Sequence, residues 1–424
     1  MIDAILNIVI LLTLLTVLVL VHELGHFVAA RRAGVIVHEF GIGFPPRARI
    51  LFVRGDTTYT LNWLPIGGFV RLEGEEPSPA DGTEPEIEDE PLLEAEATDE
   101  VESLDPRAFV NQSLGTRLRI LFAGVAVNFV LAWVIFTLIA LVAEPIWNVR
   151  LAQVMPDSPA ATAGLVGGEF VEKDLFVVRD ENDKPTGEVI PVDVYDDSGD
   201  LIVAIDGNTF PVFTDVANTD AASSGHISPI QYLADRPGEI VTVTVEHADG
   251  SVEDVEATLR TAEEIAAGMG ALGFTPDWPP AYDSQQNGLL DSAVIGLRMT
   301  AQTSTLILRA VGNIFVSLFS GSAEGLAAVA GPVGMVGVIG NVRTGLPPIF
   351  MLWFIGLISA NLAVINLLPI PPLDGSRMVM AIVQAASGNR ISARTERLVY
   401  FTGWVALMLF LVIVTFNDIG RLFP

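Results

Sequence analysis

The chain has 424 residues, half of them hydrophobic, and carries 51 acidic against 23 basic side chains, a formal net charge of −28. So acidic a chain (pI ≈ 4.3) repels phosphate backbones, which excludes nucleic acid as a partner. Cysteine is absent, which excludes disulfides and thiolate metal ligands, so a metal must be held by His, Asp or Glu.

A mean hydropathy of +0.50 and several apolar runs of the roughly 20 residues needed to cross a bilayer mark a membrane protein. Residues 1–31 read as the first transmembrane helix, apolar from Ala4 past Phe27. No basic stretch precedes the run and no small-residue cleavage site follows it, so it reads as an anchor and not as a secretory leader. Arg31 and Arg32 follow instead, which puts the N-terminus outside and the chain from residue 31 in the cytoplasm.

Inside this run stands His22-Glu23-Leu24-Gly25-His26. On a helix His22 and His26 face the same way, and two neutral imidazoles so spaced can hold one zinc ion (Zn2+), with Glu23 in reach of a water on the metal. Zinc lowers the pKa of such a water to about 7, and the glutamate takes its proton. H-E-x-x-H also arises by chance in soluble chains. Here three ionisable groups interrupt Leu, Val and Ile, where they are costly and mark function.

Residues 32–72 read as a small membrane-surface β-sheet, with strands near 34–37, 48–53, 57–63 and 69–72 and a turn at Arg54-Gly55-Asp56. Pro45-Pro46 and Pro65 to Gly68 interrupt it. Beside a metal such a sheet either pairs with an extended substrate or is a plain structural hairpin. His38 and Glu39 read as an exposed polar pair. Residues 73–112, rich in Glu, Asp and Pro, read as an acidic disordered linker. Residues 115–145 form the second span, introduced by Arg117 and Arg119, with Asn128 turned toward other helices.

Residues 150–262 carry strand-like pieces at 201–205 and 240–245, and through the stretches 154–165, 203–207 and 241–250 resemble a PDZ domain with an insertion at 166–199. Such domains capture extended peptides, often free C-termini, at a sheet edge, whereas a β-rich domain that binds nothing has the same composition. Residues 285–322 have apolar positions at helical spacing and many polar ones, as in amphipathic surface helices. The segment 331–345 is too glycine-rich for an isolated helix and reads as re-entrant or closely packed. Residues 347–373 form the third span, 374–398 a cytoplasmic loop crowded with arginines, and 399–417 the fourth span.

A catalytic zinc wants a third protein ligand, and Asp374 ends span three at the depth where the histidines end span one. In a soluble protein the same Asp-Gly would read as a turn. Parity places the amphipathic segment: if 285–322 crossed, Asp374 would end on the opposite face from His22 and His26. The expectation is therefore a polytopic α-helical membrane protein with four transmembrane helices, a membrane-associated β-sheet and an extracytoplasmic PDZ-like domain, both termini outside.

With these motifs assembled, the chain resembles the site-2 protease family of intramembrane zinc metalloproteases, in its RseP-like, PDZ-containing bacterial branch. The resemblance rests on His22 to His26, the sheet after span one, the PDZ-like insertion, Gly331-Pro332-Val333-Gly334 and Asn366 to Gly375. It implies His22, His26 and Asp374 as zinc ligands, Glu23 as general base, and Asn361, Asn366 and Pro369 as residues that engage an unwound substrate. It also implies a multi-pass protein of the bacterial cytoplasmic membrane. Its partners would be the lipid bilayer, transmembrane protein substrates such as anti-sigma factors or remnant signal peptides, and peptide C-termini at the PDZ-like domain. Ser376 stands where many members carry a second glycine. Three rivals remain: a membrane zinc protease acting on juxtamembrane or soluble segments, a non-catalytic PDZ scaffold, and a transporter. Mapping the cut separates the first, and metal analysis the second. A reporter fused after Pro424 is expected to read as extracytoplasmic; a cytoplasmic signal contradicts the four-span topology.

Overall fold

The computed structural model describes residues 2–75, 105–179, 185–212, 229–277, 281–320, 331–388 and 393–422. Most of the expected acidic linker, 76–104, lies outside them. In chain order the elements are α1 (Ile2–Arg32), β1 (Val37–Arg54), β2 (Thr57–Leu72), α2 (Leu114–Val142), β3 (Glu144–Val154), α3 (Pro159–Thr162), β4 (Phe170–Arg179) and β5 (Pro185–Tyr195). Then come β6 (Leu201–Ile205), α4 (Pro229–Ala234), β7 (Ile240–Glu246), β8 (Val252–Thr258), α5 (Ala262–Ala266), β9 (Phe274–Pro276) and β10 (Ala281–Gln285). Among the described residues five helices follow: α6 (Leu289–Ser320), α7 (Pro332–Gly345), α8 (Pro348–Leu367), α9 (Asp374–Ser387) and α10 (Ala393–Leu422). Two compact units result, Met1–Ile135 with Thr303–Phe423, and Phe136–Gln302.

Among the described residues, four helical stretches are long and apolar enough to cross a membrane: Asp3–Arg32, Leu114–Val142, Pro348–Leu367 and Arg394–Gly420. In the first unit α1 runs from Asp3 in its first turn to Arg31 and Arg32 in its last, charges that complement the helix dipole. Leu11, Leu14 and Leu18 of α1 pack with Ile339 of α7 and with Phe354 and Ile358 of α8. The glycine-rich α7 is helical because it is not isolated. A Cβ on Gly340 would lie 2.7 Å from the Asn7 amide nitrogen. At its N-terminus the backbone N–H groups of Gly331 and Gly334 donate to the Asp418 carboxylate at 3.1 and 2.8 Å.

β1 and β2 fold back on each other, so that Glu39 to Ile42 pair both with Thr58 to Leu61 and with Gly68 to Arg71. The lateral order is therefore 47–54, 57–62, 37–42, 68–72. The first strand starts at Val37 and not at 34, because Gly34 takes a left-handed turn at φ +78°. The tip is apolar yet exposed, at Ile50, Leu51, Phe52, Val53, Trp63 and Leu64. His38 and Glu39 are not an exposed pair. Strand alternation leaves His38 outside beside Glu73 and turns Glu39 inward. There Glu39 accepts from the Thr60 hydroxyl at 2.7 Å and pairs with Arg47 at 2.8 Å and with Arg71, which satisfies a charge otherwise costly to bury.

Two further segments differ from expectation. Of the segment 73–112, residues 73–75 and 105–112 are among those described, and Phe109 inserts into a cluster with Ala30, Val35 and Val37. Of the loop 374–398, Asp374–Ser387 is helical, with Asp374 in its first turn and Gly388 closing it in the left-handed region at φ +66°.

The second unit is built on a sheet ordered β10-β3-β6-β7-β8, with β9 also on β3, so it extends beyond 150–262 on both sides. Its core includes Leu151, Ile202, Ile205, Tyr232, Val243, Val245 and Leu272. The insertion at 166–199 forms a separate hairpin, β4 with β5. Glu169 and Asp196 exchange hydrogen bonds at its base, so β3 and β6 still pair at Val149↔Ile202. Residues 285–322 contain one continuous helix, α6, rather than several. It starts beside α2, where a Cβ on Gly296 would fall 2.4 Å from the Thr137 hydroxyl oxygen.

In this unit Asp200, almost wholly buried, accepts from Val166 N–H at 2.8 Å and faces His247 Nδ1 at 2.7 Å. That hydrogen bond holds the His247 pKa above its ordinary value, so the folded state favours the imidazolium. Its stabilisation is complete below the unfolded pKa of about 6.5 and fades as pH rises through the higher folded value. Amide exchange in β6 and β7 is expected to quicken over that window in the wild type, beyond the change seen in His247→Gln. Equal pH profiles would refute the pair's role.

Candidate metal centre and its pocket

His22 and His26 lie one helical turn apart on α1, with rings 4.7 Å between centroids and nearly perpendicular. Asp374 comes from the first turn of α9, far along the chain. Its Oδ2 lies 2.9 Å from His22 Nε2 and 3.2 Å from His26 Nε2, and the two Nε2 atoms are 3.1 Å apart. Among the described residues these three form the one group able to share a metal ion.

The surroundings decide which atoms face inward. Ile120 offers its carbonyl to His26 Nδ1 at 2.9 Å, so that nitrogen carries the proton and Nε2 presents a lone pair. Behind His22 stands Asn128 of α2, fully buried, its amide nitrogen 3.4 Å from Nδ1 and its Oδ1 without a partner. Turning the amide over, which leaves its shape unchanged, sets Oδ1 opposite a protonated Nδ1, the tautomer in which His22 Nε2 presents a lone pair. Ser359 of α8 donates to the Asn128 backbone carbonyl at 2.9 Å, which ties the three helices together here. Two imidazole lone pairs and a carboxylate oxygen then converge, and atoms 2.9–3.2 Å apart can all lie about 2.0–2.1 Å from one point, the reach of zinc to nitrogen and oxygen. The donor set therefore fits a tetrahedral ion with one position open.

Glycines make this convergence sterically possible. A Cβ on Gly124 would lie 2.3 Å from His26 Nε2, and one on Gly25 would meet the Ala123 carbonyl at 2.6 Å. α1 and α2 thus cross backbone to backbone, as small residues allow within membranes. A Cβ on Gly375 would strike the carbonyls of Leu367 and Leu368 at 2.3 Å, so only glycine lets α9 start against the end of α8. Ser376 donates its hydroxyl to the Leu373 carbonyl at 2.7 Å, a local bond that a second glycine would lack.

Glu23 points into a pocket of about 170 Å³ that it shares with His26 and Asp374. Phe44, Phe69, Ile120 and Leu121 give it apolar walls, Gly68 to Leu72 of β2 run along it, and Glu75 and Arg377 also line it. Gly68 fits this segment onto α1, since a Cβ there would come 2.6 Å from Leu20. The three residues expected to engage substrate are not gathered in this pocket. Asn361 is exposed on α8, Asn366 is half-buried near its end, and Pro369 is exposed beyond it. The position of Asn128 in an apolar run turns it toward other helices without linking it to His22, and Glu75 and Arg377 carry no mark of the site in the sequence. A lone polar residue in an apolar run was the signal for the first; nothing local marked the others.

A sequence model of peptidase family M50 matches residues 10–410, a span that contains His22, Glu23, His26 and Asp374. The chain is 26% identical to the zinc metalloprotease RasP of Geobacillus kaustophilus over 479 aligned positions, covering 100% of both chains. It is 28% identical to the zinc metalloprotease RasP of Bacillus licheniformis over 470 positions, 96% of this chain and 97% of that one. With the regulator of sigma-W protease RasP of Bacillus subtilis it shares 26% identity over 465 positions, 96% of each. The family match spans nearly the whole chain and encloses the converging residues, and the protein belongs to peptidase family M50.

Proposed function

We propose that the protein is an intramembrane zinc metalloprotease that hydrolyses peptide bonds in or near the transmembrane segments of other membrane proteins. The observation that carries this reading is the meeting of His22, His26 and Asp374 beside the Glu23 pocket, at the end of an apolar helix. The names of the relatives, zinc metalloproteases and a regulator of sigma-W, support zinc and regulated cleavage of membrane proteins such as anti-sigma factors.

In this reading His22, His26 and Asp374 are the zinc ligands, and zinc bound there supplies Lewis acidity toward water and the scissile carbonyl. Ile120 and Asn128 hold the rear nitrogens of the two imidazoles, which fixes which nitrogen of each faces the ion. The Glu23 carboxylate takes a proton from the attacking water and later delivers it to the leaving amine nitrogen, so that water and peptide become an acid and an amine. Phe44, Phe69 and Leu121 form apolar walls beside that exchange. A helical substrate hides its carbonyls in its own hydrogen bonds and must be unwound first. Segment 68–72, edgemost of the folded β1–β2 sheet and lining the pocket, offers backbone groups for an extended chain.

Four transmembrane helices with both termini outside, α6 lying on the outer surface and a PDZ-like second unit filtering substrates complete the proposal. Asn361, Asn366 and Pro369 are assigned to substrate contacts beyond the pocket itself.

Glu23→Gln is expected to keep zinc and abolish cleavage of a transmembrane substrate; cleavage at the wild-type rate would refute the role of Glu23. Gly124→Ala pushes a methyl group into His26, and about a 100-fold loss of activity with weakened zinc binding is expected. Wild-type zinc content and turnover in that variant would show that the close crossing of α1 and α2 is dispensable.

A further inference from the structure

We propose that Arg377 recognises an acidic side chain of the substrate next to the bond that is cut, and that Glu75 holds its place until a substrate arrives. The proposal rests on the reading of Glu23 and the metal ligands given above.

Arg377 lies three residues after Asp374 on α9, one turn along the same face, and lines the same pocket as Glu23. Among the residues lining that pocket it is the one guanidinium. Its head is engaged by Glu75, and both side chains are largely buried, at 24% and 16% exposure. A half-buried Arg–carboxylate pair beside a reaction site discriminates strongly by charge, because the surrounding protein screens it poorly. Arg377 Cζ lies over the Tyr400 ring, 6.0 Å from the ring centroid, and the ring favours a cation there.

Glu75 is placed to act as a stand-in. Its backbone continues the segment that lines the pocket: Glu75 N–H donates to the Leu72 carbonyl at 3.3 Å, while Glu73 is tied to Ile36 and Phe109. The main chain is thus anchored while the carboxylate reaches across to α9. A substrate strand laid along 68–72 would lead its own side chains toward Arg377, and an acidic one would meet the guanidinium where Glu75 now sits. Substrate binding then exchanges one carboxylate for another with no net charge buried, whereas a basic side chain at that place would face Arg377 directly.

The test uses full-length protein in vesicles and a set of transmembrane substrates identical except for Glu, Gln or Lys at each position flanking the mapped cut. At one flanking position the wild type is expected to cleave the Glu substrate with kcat/KM about tenfold or more above the Lys substrate, mainly through KM. Arg377→Glu should reverse that preference, and Arg377→Gln should flatten it. Glu75→Gln, which loosens the internal competitor without touching α9, should widen the Glu-over-Lys ratio severalfold. Zinc content measured alongside shows that each variant is folded. No charge preference at any position in the wild type, or the same preference in Arg377→Gln and Glu75→Gln as in the wild type, overturns the proposal. Failure of the wild type to cut any substrate would instead count against the protease reading itself.

Discussion

A carboxylate and two imidazoles inside an apolar helix bundle are the constraint on which the rest of this structure depends. Groups that could be charged are expensive in such surroundings unless each finds a partner. Here the three find one another, and their spacing leaves room for one cation that would satisfy all three at once. Around them the chain gives up side-chain volume. Gly25 and Gly124 let α1 and α2 touch, and Gly375 lets α9 begin against the end of α8. α2 then places Ile120 and Asn128 behind the two rings. The metal motif of α1 is thus completed by two other elements, one that orients its histidines and one that brings the aspartate.

The folded-back β1–β2 sheet supplies the second half of a hydrolytic site. Its 68–72 segment sits against α1 through Gly68 and lines the pocket into which Glu23 points. The buried Glu39, held by Thr60, Arg47 and Arg71, ties neighbouring segments of that sheet to each other. The same segment runs on to Glu75, so the geometry that offers backbone groups to a substrate also brings a carboxylate to Arg377. Glu23, the edge segment of β2, Glu75 and Arg377 line one pocket from three elements.

The chemistry was legible in the sequence to the extent that residue spacing alone determines it. His22, Glu23 and His26 stand out because they break an apolar run, and Asp374 because matched depth and parity pointed to it. What escaped the sequence depends on tertiary contacts. Glu39 looked exposed until strand alternation turned it inward. The glycine-rich segment left a re-entrant and a closely packed reading open, and α7 is helical with Asn7 and Asp418 packed against its glycines. Helix α9 was read as loop because its arginines outweighed its amphipathic pattern, and Phe109 was lost in an acidic stretch. The length of the insertion at 166–199 does not reveal that it forms a hairpin closed at its base, which leaves β3 and β6 paired. Asn361, Asn366 and Pro369, assigned by resemblance, are not among the residues that line the pocket.

The most direct measurement is zinc K-edge X-ray absorption on the purified full-length protein. One zinc per chain is expected, with two imidazole nitrogens and carboxylate oxygen at about 2.0–2.1 Å, and Asp374→Ala is expected to lose the oxygen shell's protein component and to retain zinc more weakly. A spectrum with fewer than two imidazoles, or one that Asp374→Ala leaves untouched at full occupancy, would contradict it.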